Sequence, residues 1–314
     1  MKKPFRIVFM GTPDFSVPPL LALAEEGHEI VLVITQPDRP KGRGKKMVPP
    51  PVKVAAQNLG LRVIQPENMR SAEIKETLVA LKPDLFVVVA FGHKLSQELL
   101  DIPAINPINI HASLLPAHRG AAPIQAAILN QDRQTGVTTM FMDKNLDTGD
   151  MLLKSETTIH GSDTAQDLHD RLAVMGADLI VKTLDLLAEN GLTPIPQNHD
   201  LATFAPVLKK SDGRIDWTQS PDKISAHVRA MTPWPGAFTL LNDHHLKIFK
   251  VTCHTTPSTA DPGTVLGCDD QGILVAAGNG AVTIVELQGA SGRRMTAVEF
   301  LRGNPVKPGE VFHG

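Results

Sequence analysis

Three polar residues in otherwise apolar surroundings could do chemistry: Asn109, His111 and Asp147. Asn109 and His111 close the run PINIHA, and Asp147 lies in MDKNLDTGDM, just after the run GVTTMFMD. An imidazole can donate to a reacting oxygen, or shuttle its proton, near neutral pH. A carboxylate can hold that imidazole in one tautomer or favour its charged form. An amide N–H has no charge to lose and suits an oxyanion that develops during a reaction. Together the three fit acyl-type transfer through a tetrahedral intermediate. A plainer alternative stands beside this one: Asn-x-His at a strand end is commonly a satisfied turn, and Asp in D-T-G-D is commonly a turn former. No Ser, Cys or Lys is paired with an evident base, and Ser113 in HASLLP lacks a G-x-S-x-G elbow. Direct transfer between two bound substrates is therefore expected over a covalent acyl-enzyme.

The elements that must position these residues are legible as apolar runs. Strands are expected at 5–11, 29–35, 62–66, 84–91, 108–112 and 136–143, all reading as parallel strands covered on both faces. Helices are expected at 17–27, 52–60 and 71–82, with Ser71 opening the last, and a long helix at 164–191 ends at Gly191. This rhythm predicts a doubly wound, mostly parallel α/β sheet. In such sheets ligands bind at the carboxyl ends of the strands, which is where Asn109, His111 and Asp147 are expected. The proline-rich stretch 192–206 reads as a linker between a domain at 1–191 and a second at 207–314. In the second, short strand-like pieces separated by Gly, Asp and Asn turns predict a small β-barrel.

The rest of the sequence narrows the function classes. Turn residues GTPDF follow the first strand where a dinucleotide-binding chain has G-x-G-x-x-G, so nicotinamide chemistry is disfavoured. Cys253 and Cys268 lack metal-ligand spacing, and a reducing, cytoplasmic setting is expected. No run approaches the roughly 20 apolar residues of a membrane helix. The net charge of −2 means that an anionic partner must be met by a local patch. One such patch is the loop PDRPKGRGKK, with Arg39, Lys41, Arg43, Lys45 and Lys46 against Asp38. Its glycines and prolines predict a mobile loop, and it follows the second strand, above the crevice. A solvated charged face is the alternative reading of such a run. Residues 207–314 hold eleven Lys/Arg against ten Asp/Glu, so any binding face there must gather cations such as Lys209, Lys210, Arg214 and Lys247. Trp217 and Trp234 read as core residues.

The motifs NIHASLLPAHRGAAP and LDTGDM resemble the folate-dependent formyltransferases. QPDRPKGRGKKMVPPPVK, GRIDW and RAMTPWPGAF are similar to the branch of that family that acts on aminoacyl-tRNA. The resemblance covers essentially the whole chain. It implies a Rossmann-like formyltransferase domain and an OB-like, tRNA-binding C-terminal barrel. It further implies transfer of a formyl group from 10-formyltetrahydrofolate to methionyl-initiator tRNA, with no metal. Asn109, His111 and Asp147 fall on the family's catalytic positions. Ser113, Leu114, Leu115 and Pro116 fall on its folate-contacting turn, and Phe91 and Gly92 on the wall of the pterin pocket. The basic loop, with Lys209 and Lys210, falls where tRNA is contacted. A monomer with no obligate protein partner is expected. Formylation of a small amine, such as an amino-sugar nucleotide, and RNA binding without catalysis are the alternatives. Asn145 stands where many relatives carry glycine, Ala117 and His118 where basic and aromatic residues are common, and Phe91 where tyrosine is common.

Overall fold

The computed structural model describes residues 4–41, 44, 46–242, 244–255, 259–289 and 292–314. The early apolar runs form the strands that their burial requires. The strands are β1 (Arg6–Gly11), β2 (Glu29–Ile34), β3 (Arg39–Lys41), β4 (Lys46–Val48), β5 (Val63–Ile64), β6 (Leu85–Val89), β7 (Ile108–His111), β8 (Arg119–Gly120), β9 (Gln134–Phe141) and β10 (Met151–Thr158). Helices α1 (Val17–Glu25), α2 (Pro51–Asn58), α3 (Ala72–Leu81), α4 (Gln97–Leu100), α5 (Pro123–Leu129) and α6 (Ala165–Ala188) alternate with them. At the start of α3 the Ser71 side chain accepts from the Ile74 amide, satisfying one of the orphan donors of the first turn. At the end of α6 the left-handed residue is Asn190 (φ 52), not Gly191.

Seven strands form one sheet in the order β10-β9-β7-β6-β1-β2-β5. β1 pairs parallel with β2 and β6, and β6 pairs parallel with β7. β6 reads LFVVV and is buried along its whole length, as a central strand covered on both faces must be. On one face Val8, Met10, Leu32, Ile34, Phe86 and Val88 pack with Ile74 and Leu78 of α3. Each such side chain contributes about 1.5–3 kcal/mol by leaving water. Over β7 and β9 lies α6, where a Cβ on Gly176 would sit 3.1 Å from Ile110 Cγ2. Thr183 of α6 hydrogen-bonds Thr139 of β9 at 2.9 Å. With Ile110 turned to α6, the period-2 alternation turns Asn109 and His111 to the opposite face.

Three expectations are corrected. β9 is antiparallel to β7, with Ile108 opposite Phe141 and His111 opposite Thr138. Burial on both faces sets an apolar run but says nothing of strand direction. The edge strand β10 was not expected, because its alternating half-exposed pattern, MLLKSETT, is too polar to stand out. Finally, the basic loop is not irregular: Arg39, Pro40 and Lys41 pair with Val48, Met47 and Lys46 in a short hairpin. Gly42, Arg43 and Lys45 lie outside the described residues, as does the side chain of Lys41.

The chain divides into two compact units, Met1–Pro123 with Gln134–Thr157 and His169–Phe204, and Ile124–Arg133 with Thr158–Leu168 and Ala205–Gly314. Following β11 (Phe204–Ala205), the second unit contains α7 (Pro221–Ala230), β12 (Ala237–Leu241), β13 (His244–His254), β14 (Val265–Cys268), β15 (Ile273–Ala277), β16 (Gly280–Gln288), β17 (Met295–Thr296), α8 (Ala297–Gly303) and β18 (Phe312–His313). The sheet runs β14-β15-β16-β13-β12-β18, with β17 beside β16. It curls until Thr264 bridges Val311, the barrel-like arrangement that the turn-punctuated strands predict. Trp217 is buried and its indole N–H donates to Thr239 Oγ1 at 3.0 Å, whereas Trp234 is 52% exposed and is not a core residue. Among the described residues no helix is long and apolar enough to cross a membrane.

His227 of α7 gives this unit a pH dependence. Burial pushes its imidazole below the ordinary value of 6.5, against a backbone hydrogen bond at Gly213 and the charges of Asp212 and Asp216. The unfolded chain therefore binds this proton more readily than the folded one, so stability is present above pH 6.5 and is lost as pH falls below it. Thermal melts between pH 7.5 and about 5 are expected to show this loss, and His227→Gln is expected to flatten it.

Candidate active site

β7 delivers Asn109 and His111 to one face at its carboxyl end, and β9 sets Met140 and Thr138 opposite them. Asn109 is half-buried, and among the described residues its side-chain amide makes no hydrogen bond. His111 is 5% exposed. Its Nε2 lies 3.0 Å from the carbonyl oxygen of His118. A carbonyl can only accept, so Nε2 carries the hydrogen and the ring is held in one orientation. That leaves Nδ1 uncommitted, facing Asp147 Oδ2 at 3.7 Å. The gap is too long for a hydrogen bond, so Nδ1 and the carboxylate face each other without being tied together.

Asp147 reaches this place by a route the sequence does not show. β9 ends beside the start of β7, about 10 Å along the strand from His111, so the loop 142–150 must fold back over the sheet face. Two features hold it there. Asp147 adopts a left-handed backbone, φ 54, which is sparsely populated for non-glycine residues and characteristic of functional sites. Gly149 lies so close to Phe141 that a Cβ would meet its carbonyl oxygen at 1.9 Å. Asp147 Oδ2 accepts from the Gly120 amide at 2.9 Å. Asn145 is exposed and takes no left-handed conformation, so glycine is not required at that position.

The turn after β7 is fixed from below. Thr138 Oγ1 donates to Ser113 O at 2.7 Å and accepts from Leu115 N at 3.2 Å. Ser113 Oγ donates to Ala117 O at 2.6 Å, Leu115 is fully buried, and Leu114 and Pro116 are half-buried. Beside this turn, the chain leaves β6 through Phe91, buried, and Gly92, exposed with φ 81. The Phe91 carbonyl accepts from Thr12 Oγ1 and Gln36 Nε2.

The basic hairpin begins at this same rim. Arg39 donates to Gln36 Oε1 at 2.9 Å, and its charge, after burial, helps hold His93 below its ordinary pKa. Arg39 and Lys46 are exposed. Asp38 does not neutralise them: it is engaged by Lys53 at 2.8 Å and by Gln65 at 2.7 Å. Lys209 and Lys210 are exposed in the second unit.

Residues that sequence reasoning missed complete the site: the His118 carbonyl, Thr138, Arg119, Gln197 and Thr203. The only trace of them was the R-G pair in HASLLPAHRG. Gln197 and Thr203 sit in the proline-rich stretch that composition assigns to a linker.

A model of the formyl transferase family matches residues 5–184, and a model of the formyl transferase C-terminal domain matches residues 207–305. The chain belongs to the formyl transferase family. Among curated formyl transferases, the methionyl-tRNA formyltransferase of Citrifermentans bemidjiense is 50% identical, covering 98% of this chain and 96% of that one. The methionyl-tRNA formyltransferase of Bacillus subtilis is 47% identical over 98% of this chain and 97% of its own. At the level of fold, an N-formyltransferase from Helicobacter canadensis, solved with folinic acid and dTDP-3-aminofucose, aligns with a TM-score of 0.68 at 19% identity. It covers 93% of this chain and all of its own. HypX from Aquifex aeolicus, solved with tetrahydrofolic acid, aligns with a TM-score of 0.64 at 18% identity. That match covers 99% of this chain, which spans about half (51%) of the HypX chain.

Proposed function

We propose that the chain transfers the formyl group of 10-formyltetrahydrofolate to the α-amino group of methionyl-initiator tRNA, giving N-formylmethionyl-tRNA for translation initiation. The observation that carries the chemistry is the facing pair His111 Nδ1 and Asp147 Oδ2, 3.7 Å apart beside the uncommitted amide of Asn109. The near-full-length identity to methionyl-tRNA formyltransferases supports the acceptor.

The donor supplies an activated formyl carbon. Residues at the rim fit such a molecule. Ala90 and Gly92 are both exposed and left-handed (φ 44 and 81), which leaves main-chain edges unshielded at the end of β6. A reduced pterin presents amide-like edges that suit such backbone, with Phe91 and the Ser113–Pro116 turn as walls. Asn109 and the charged form of His111 donate to the formyl oxygen as it gains charge when the methionyl amine attacks. Asp147 faces the imidazolium as a carboxylate until the amine attacks, and then accepts the proton that the amine gives up, directly or through water. The C–N bond to the amine forms, and the bond to N10 breaks as N10 takes up the proton that Asp147 received, which restores the carboxylate.

The basic segment 39–46, with Arg39, Lys41, Arg43, Lys45 and Lys46, grips the acceptor end of the RNA, and Lys209 and Lys210 add contacts from the barrel. In functional terms residues 1–191 are the catalytic part, 192–206 the connection, and 207–314 the tRNA-binding barrel. The protein works as a cytoplasmic monomer without an obligate protein partner.

The test is formyl transfer from 10-formyltetrahydrofolate to methionyl-initiator tRNA, methionyl-elongator tRNA and an amino-sugar nucleotide, in parallel. Strong preference for the initiator tRNA is expected. Transfer to the small amine alone would keep the crevice chemistry and overturn the acceptor. RNA binding with no transfer would overturn the enzyme.

A further inference from the structure

Arg119 is a charged residue only 3% exposed, and Gln197 beside it is 6% exposed. Burying a guanidinium is costly unless its donors are satisfied. Here Nε and Nη2 meet neutral groups: both donate to Gln197 Oε1, at 3.1 and 2.7 Å, and Nη2 lies 3.1 Å from His199 Nδ1. Arginine offers donors only, so it fixes which end of the Gln197 amide faces it. The other end, Nε2, then donates to the carbonyls of Asp147 at 2.9 Å and Gly149 at 2.8 Å. These are the two positions where loop 142–150 is most constrained, by a left-handed φ at Asp147 and a close backbone approach at Gly149.

The same stretch of chain also fixes the imidazole. Thr203 Oγ1 accepts from the His118 amide, and Thr203 O accepts from the Arg119 amide, each at 2.8 Å. The His118 carbonyl so placed is the one that orients His111. Residues 197–203 thus hold both partners of the facing pair through main-chain bonds, Asp147 by Gln197 and His111 by Thr203.

We propose that Gln197 is a positioning residue for formyl transfer: locked by Arg119, it sets the backbone of Asp147 and so the distance from its carboxylate to His111. The proposal rests on the catalytic reading of that pair. Gln197 touches neither substrate, so its loss lowers kcat and leaves both KM values unchanged. It acts through Asp147, so its effect disappears once Asp147 no longer functions.

The experiment compares wild type, Gln197→Met, Gln197→Glu, Asp147→Asn and the double variant Gln197→Met/Asp147→Asn, with methionyl-initiator tRNA and 10-formyltetrahydrofolate. Gln197→Met removes both sets of bonds. Gln197→Glu keeps an acceptor for Arg119 but presents oxygen to the two carbonyls, so it retains the buried guanidinium's partner if the methionine variant melts at assay temperature. The expected result is a fall in kcat of roughly 10- to 100-fold in either folded variant, KM values within about twofold, and little further loss from Gln197→Met in the Asp147→Asn background. Unchanged kcat in the folded variants would overturn the proposal. So would equal losses from Gln197→Met in the two backgrounds, which mark a general structural role. Full activity in Asp147→Asn by itself would overturn the catalytic reading instead, so the two failures are distinct.

Discussion

His111→Ala lowers kcat for formyl transfer by a factor of about 10²–10³, and Asn109→Ala does the same, while methionyl-tRNA and folate still bind. The Asn109 amide is committed to no partner among the described residues, so it is available without breaking a bond. His111 has its Nε2 tied to the His118 carbonyl, which leaves only Nδ1 for chemistry, in a nine-tenths buried setting where a hydrogen bond to developing charge is strong. A single oxyanion donor is worth about 2.7–4 kcal/mol of barrier, which is the stated factor. The two losses should not add in His111→Ala/Asn109→Ala, because both donors serve one oxygen. Steady-state kinetics of the two single variants and the double variant check this. Near-wild-type kcat in either single variant would remove that residue from the mechanism.

Neutralising the hairpin produces the second large effect, on binding. Arg39, Lys41, Arg43, Lys45 and Lys46 are five cations with no acidic residue among them, and Asp38 at the hairpin's base is already engaged by Lys53. Each contact to a phosphate of single-stranded RNA contributes a slope of about −0.7 to log K against log salt. Five such contacts give a slope near −3.5, which is about a hundredfold loss of affinity between 50 and 200 mM salt. A variant with all five replaced by serine should bind methionyl-initiator tRNA weakly at 50 mM and show only the shallow salt slope that Lys209 and Lys210 contribute. Its kcat at saturating tRNA should stay close to that of wild type, because the five are proposed to hold the RNA and take no part in the transfer step. Filter binding or anisotropy across that salt range is the measurement. A variant with the wild-type slope would place the RNA elsewhere.

Much of this protein was legible in the sequence for definable reasons. β1, β2 and β6 are continuous apolar runs because both of their faces are buried, and helix α3 announces itself through Ser71. The spacing of Asn109 and His111 put both on one face of a strand end, and the structure keeps them there. Asp147 was expected near His111 on the premise of a parallel β9. That premise fails, and the residue arrives by a folded-back loop instead. Long-range connection of this sort has no local signature: the left-handed φ of Asp147 and the close approach at Gly149 are consequences of tertiary packing. Gln197 was invisible for a related reason. A buried amide bonded to both backbone and side-chain partners looks, in composition, like any polar residue in a proline-rich stretch. The hairpin was read as mobile because glycine and proline dominate its turn chemistry, while its pairing depends on the backbone of Arg39–Lys41 and Lys46–Val48 rather than on side-chain pattern.

The measurement that bears most directly on the central claim is a single-turnover, rapid-quench assay of formyl transfer to methionyl-initiator tRNA by wild type and Asp147→Asn. Asparagine keeps an oxygen for the Gly120 amide and the shape of the side chain, and it removes only the charge and the proton acceptor facing His111. The account predicts that both enzymes bind the two substrates alike, and that the rate of the first turnover falls by about 10²–10⁴ in the variant. A first turnover in Asp147→Asn as fast as in wild type would contradict it.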